Sequence, residues 1–112
     1  MNFNSLIRSN LPVNLACCDY EKITVTDASI KMLTVPSGTK YCEIFVESAT
    51  TSGYVANYVT YEDTTTTLPT VTDGIPVMNG TFFDIPNVDS ISNFRIIGRT
   101  GITTTLHVQY YK

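Results

Sequence analysis

Tryptophan is absent from this sequence, histidine occurs once and cysteine three times. Each scarcity removes a class of chemistry. The single histidine, His107, lies in an alternating run that reads as a strand, and a Cys–His dyad needs the fold to bring a thiol to it. Cys42 is the thiol on a central strand, but alternation puts it on the face of Ile44 and Val46, whereas His107 lies opposite Leu106, Val108 and Tyr110. The two are expected on different sides of their strands, with His107 facing solvent. Zinc sites use paired ligands at short spacing. Cys17 and Cys18 are adjacent, and neighbours on a strand point to opposite faces. An odd cysteine count with a vicinal pair is no secreted disulfide framework, so buried, reduced thiols made in a cytoplasm are expected. Leu15-Ala16-Cys17-Cys18 loosely resembles a lipoprotein cleavage site. Arg8 is the only basic residue before it, however, and Asn10, Pro12 and Asn14 break the apolar stretch that a signal peptide requires.

Charge is also scarce. Charged residues make up 15% of the chain, against about 25% in a typical soluble domain. Seven Lys and Arg are spread from Arg8 to Lys112 without a cluster, and the net charge is −3. Nucleic-acid binding draws most of its affinity from a basic stripe that neutralises phosphates, so no nucleic-acid partner is expected. No apolar run approaches the roughly 20 residues of a membrane helix, so no membrane partner is expected either. Asp63, Asp73, Asp84 and Asp89 sit among turn residues without EF-hand spacing, and ordinary turn chemistry accounts for them. Glu43 and Glu47 share one strand face but lie roughly 13 Å apart at strand rise, too far for a glycosidase pair. The expectation is a non-enzyme with no catalytic, cofactor-binding or metal-binding residues, and no cofactor.

What is present is period-two alternation. Tyr41 to Ser48 places Cys42, Ile44 and Val46 on one face and Glu43, Phe45 and Glu47 on the other. Leu106 to Tyr111 alternates in the same way. Tyr54 to Tyr61, Asn93 to Gly98, Ile30 to Val35 and Lys22 to Thr26 read as further strands. Asn79-Gly80 predicts a type I′ hairpin joining Ile75–Met78 to Thr81–Ile85, because both residues tolerate positive φ. Asp27–Ser29 and Asp89–Ser92 have room for single helical turns. Turn signals every 8–12 residues indicate a sandwich or barrel. The chain is therefore expected to be all-β, a single small antiparallel β-sandwich of about eight strands, jelly-roll or Ig-like, over residues 21–112. Residues 1–20 read as an N-terminal arm or an irregular first strand.

The second half carries a resemblance. Tyr61-Glu62-Asp63 and the Thr64–Thr67 run lead to Leu68-Pro69-Thr70. Asp73-Gly74-Ile75-Pro76-Val77 follows, then the Asn79-Gly80 turn, Phe94-Arg95-Ile96-Ile97 and Leu106-His107-Val108-Gln109-Tyr110. This order resembles the small β-sandwich virion proteins of tailed bacteriophages, of the auxiliary capsid or head-decoration type, including crAss-like phages. The similarity covers roughly residues 22–111. It implies a structural virion component that binds the major capsid protein lattice, or other virion proteins, in many copies or as a homo-oligomer, assembled in the bacterial host cytoplasm. The expected contact residues are Asn2, Phe3, Leu6, Ile7 and Leu11 in the arm and Thr64, Thr65, Thr66, Thr67, Leu68 and Pro69 in the loop. A second reading starts from the many tyrosines (41, 54, 58, 61, 110 and 111) and takes the chain as a glycan- or receptor-binding module of a phage fibre or bacterial surface protein. Tyrosines that merely frame a sheet account for the same pattern.

Overall fold

A computed structural model describes residues 14–51, 53–60 and 67–112. Among these, eight strands and one short helix follow in the order β1 (Cys17–Val25), β2 (Lys31–Met32), β3 (Tyr41–Ser48), β4 (Tyr54–Thr60), β5 (Ile75–Met78), β6 (Phe82–Ile85), α1 (Val88–Ser92), β7 (Phe94–Gly98) and β8 (Thr104–Tyr111). They form two antiparallel sheets. Sheet I has the order β1-β8-β3-β6 and sheet II the order β2-β7-β4-β5. The chain is thus a β-sandwich, as expected. Its pairs β1–β8, β2–β7, β3–β6 and β4–β5 are those of a ribbon folded once at its middle and then wrapped. This is the jelly-roll arrangement rather than the Ig-like one.

Alternation dictates the core. β8 pairs along its length with β1 and with β3, setting Ile44 opposite Val108 and Val46 opposite Leu106. These four side chains, with Cys42 and Tyr110, are fully buried on the inner face of sheet I. Sheet II answers with Ala56, Val77, Phe94 and Ile96. Tyr58 stacks on Phe83 and on Phe94, with ring centroids 4.8 and 5.4 Å apart, and this joins the two sheets. Burying each such large apolar side chain contributes on the order of 1.5–3 kcal/mol.

Four local expectations need correction. Asn79-Gly80 does not close a hairpin, because β5 pairs with β4 in sheet II and β6 pairs with β3 in sheet I. A type I′ turn requires positive φ at both central residues, and only Gly80, at +87°, has it. The turn instead crosses between the sheets and is bonded to β3. Asn79 Oδ1 accepts from the Ser48 N–H at 2.8 Å, and the Gly80 N–H donates to the Val46 carbonyl at 2.8 Å. Among the described residues, the only strands adjacent in sequence that pair are β4 and β5.

The strand expected over Ile30–Val35 shrinks to Lys31–Met32, because the Thr34 N–H is taken by the Glu21 carboxylate rather than by a ladder partner. The first strand starts at Cys17, not near Lys22, because β8 is long enough to pair it to Tyr111, and Ala16 exchanges two backbone hydrogen bonds with Lys112. Residues 17–20 therefore belong to the sandwich. Cys17 and Cys18 are exposed on this edge strand rather than buried, whereas Cys42 is buried. The turn expected at Asp89–Ser92 forms as α1, capped by Asn87, whose side chain accepts from the Asp89 and Ser90 N–H groups.

Candidate functional site

The two broad outer faces of the sandwich differ. On sheet II the described part of the β4–β5 loop, residues 67–74, folds back over the surface. Asn57 is fully buried there, its side chain donating to the Thr70 carbonyl at 3.1 Å and accepting from Arg99 Nη1 at 3.0 Å. Thr70 and Asp73 close a turn on this base through a 2.8 Å backbone bond and a 2.9 Å bond to the Thr70 hydroxyl. Gly74 lets the loop approach, since a Cβ on it would lie 2.9 Å from Asn57 Cβ and 3.3 Å from Pro69 Cβ. Of the expected contact residues in this loop, Pro69 is buried, while Thr67 and Leu68 are exposed. Of the other expected contact residues, Asn2, Phe3, Leu6, Ile7, Leu11, Thr64, Thr65 and Thr66 lie outside the described residues.

Sheet I keeps its outer face open along one row. Register places Lys22, His107, Phe45 and Phe82 side by side across β1, β8, β3 and β6. Tyr20 reaches diagonally to His107, and its hydroxyl lies 2.6 Å from Nδ1. Nε2 of the same ring lies 2.9 Å from Glu47 Oε1. A carboxylate only accepts, so in the neutral ring Nε2 carries the proton and Nδ1 accepts from the tyrosine. The Tyr20 and His107 planes differ by 22° with centroids 6.1 Å apart. Given the short hydroxyl–nitrogen distance, the rings lie end to end rather than one above the other. Tyr20, His107 and Glu47 thus form one hydrogen-bonded strip across three strands. Phe45 lies beside it, 6.2 Å from His107 and tilted by 40°. Tyr20 is 51% exposed, Phe45 37% and Phe82 47%. Beyond Glu47 the strip ends in a shallow depression of about 380 Å³ lined by Glu47, Ser48, Ala49, Thr103 and Thr105.

The same face closes over at its other end. Tyr41, Glu43 and Tyr111 are outward by alternation yet buried. The Tyr111 hydroxyl donates to Glu43 and lies 3.1 Å from Gln109 Oε1. Tyr41 donates to Asp84 at 2.6 Å. Burial, then this carboxylate, pushes the Tyr41 phenol well above its ordinary value. Cys42 is on the inner face, away from His107, and burial pushes its thiol up to about 12. It is a core side chain, not a nucleophile. Among the described residues, no three His, Cys, Asp or Glu gather as a metal site.

Alternation assigned His107, Phe45 and Glu47 to the outer face. It missed Tyr20, in the segment read as an arm or an irregular first strand, and Phe82, whose parity depends on the pairing of β6. The available signal was Phe45, a large apolar residue between two glutamates on a polar face.

The chain matches no family model and no curated protein. Among solved structures it is similar to one described under the words "Bacillus endospore appendages form a novel family of disulfide-linked pili". The identity is 17%, the match covers 86% of this chain and 87% of that one, and the TM-score is 0.48.

Proposed function

We propose that this protein is a structural subunit that attaches in many copies to a protein lattice, as an auxiliary capsid protein of the decoration type does. The observation that carries the reading is the anchored β4–β5 loop. Its base is fixed to sheet II by Asn57, Pro69 and the Thr70–Asp73 turn, while Leu68 stands 45% exposed next to that base. An apolar side chain held out on a fixed loop contacts a partner at low entropic cost. The resemblance over residues 22–111 supplies the partner, the major capsid protein. A subunit that binds only the assembled lattice stabilises it by mass action, and an N-terminal arm adds to a neighbour's sheet edge in the usual way. Loss of this arm and loss of Leu68 are therefore the tests.

The experiment is co-sedimentation with shells assembled from the cognate major capsid protein. Wild type is expected to pellet with shells. Leu68→Asp and a chain lacking residues 1–15 are expected to stay in the supernatant while keeping the wild-type circular dichroism spectrum. Wild-type protein left in the supernatant, or both variants pelleting normally, overturns the reading.

A further inference from the structure

We propose that the Tyr20–His107–Glu47 strip, with Phe45 beside it, is a binding platform for a neutral glycan chain. It lies on the broad face opposite the anchored loop, so it goes beyond the lattice-binding reading and does not rest on it. A subunit held through the sheet II side presents this platform to solvent.

Shape comes first. A sugar ring offers a flat face of C–H bonds edged by hydroxyl groups. The strip offers an apolar counterpart, two rings placed end to end whose planes differ by 22°, with Phe45 tilted by 40° alongside. The two hydrogen bonds on His107 hold these rings before any ligand arrives, so little side-chain freedom is lost on binding. The polar groups stand where hydroxyls would be. The Glu47 side chain is 61% exposed at the end of the strip. Thr105 and Ser48 line the depression beyond it, and Lys22 flanks His107 in the same row.

Width and charge select the occupant. The outward neighbours on either side of the apolar row are polar, Gln109 with buried Glu43 on one side and Thr24, Thr105 and Glu47 on the other. Four part-exposed rings amount to roughly 300–400 Å², about half of the ~800 Å² that each partner contributes to a standard protein interface. A second copy of this chain therefore fits poorly, and a narrow linear ligand fits well. Among the described residues Glu47 is the one charged group lining the depression, Lys22 beside His107 balances it without leaving the strip an excess of positive charge, and the chain carries −3 overall. Anionic polysaccharides are repelled, which leaves a neutral glycan.

The test is affinity electrophoresis of the full chain in native gels containing dextran, galactomannan, laminarin or hydroxyethylcellulose, with polygalacturonate as the anionic counterpart. Retardation is expected in at least one neutral gel and not in polygalacturonate. In the retarding gel, Phe45→Ala and His107→Ala are each expected to weaken binding by at least about tenfold. Tyr54→Ala, at an exposed tyrosine on sheet II, should migrate as wild type does. Circular dichroism verifies folding, and Phe45→Gln replaces any variant that does not fold. No retardation in any neutral gel, equal retardation in polygalacturonate, or wild-type behaviour of the folded platform variants overturns the proposal. Because shells are absent from this assay, its failure leaves lattice binding intact, and the reverse also holds.

Discussion

The Tyr20 hydroxyl meets His107 Nδ1 at 2.6 Å across the β1–β8 pair, and the two ring planes differ by 22° with centroids 6.1 Å apart. With Glu47 accepting at the other nitrogen, the neutral ring has one tautomer that satisfies both neighbours.

That tautomer is directly measurable. In alkaline solution, nitrogen-15 NMR of His107 should show Nε2 protonated and Nδ1 bare. Tyr20→Phe removes the donor to Nδ1 and should destabilise the fold by no more than about 1 kcal/mol, because the bond is solvent-exposed. A protonated Nδ1 in the neutral wild-type ring would contradict the assignment.

Thiol reactivity should divide two to one. Cys17 and Cys18 are exposed on an edge strand, while Cys42 is fully buried with its thiol held up to about 12. At pH 8 an aromatic disulfide reagent is expected to modify Cys17 and Cys18 within minutes. Cys42 should react only after denaturant is added, since the thiolate is the reactive species. Three fast thiols in the native protein would show that the core opens readily.

Stability should fall on the alkaline side. Burial raises Cys42 from 9.0 to about 12. Burial, then the acceptor carboxylates Asp84 and Glu21, raises Tyr41 and Tyr110 above 10.0. The folded state then binds more protons than the unfolded state at high pH. The contribution of these groups is complete below the unfolded values and is lost as pH rises through the folded ones. For Cys42 the window is pH 9 to 12. There each held proton costs about 1.4 kcal/mol per pH unit. Urea midpoints measured from pH 7 to 11 should decline above pH 9, and Cys42→Ala should remove the earliest part of the decline. A midpoint independent of pH over that range rules this out.

Two glycines with positive φ should respond differently to alanine. Gly53, at +67°, has nothing within 4 Å of an added Cβ, so its cost is backbone strain of about 1 kcal/mol. Gly74, at +135°, would also drive its Cβ to within 2.9 Å of Asn57 Cβ. Gly74→Ala is expected to cost about 2–3 kcal/mol and to loosen the base of the Leu68 loop. Thermal denaturation compares the two, and equal losses would argue against the close approach.

The sequence by itself determined the strand character, the faces and the separation of thiol from imidazole. Tyr41–Ser48 is β3 as expected, and Cys42, Ile44 and Val46 are its buried residues. Phe94 and Ile96 are buried as alternation requires. These are local properties, because successive side chains on a strand must point to opposite faces whatever the strand pairs with. Tertiary structure decided the pairing. Asn79-Gly80 has the composition of a hairpin turn, yet it links strands of different sheets, because β3 captures its polar groups. Glu43 and Glu47 lie on one face, but Glu43 is buried beside Tyr111 and Glu47 is exposed beside His107. Tyr20, His107 and Glu47 meet only because β8 lies between β1 and β3, across 87 and 60 residues of chain. Alternation names the face a residue takes. Which residues become neighbours on that face is set by strand order, and strand order follows from how two whole sheets bury their apolar sides against each other.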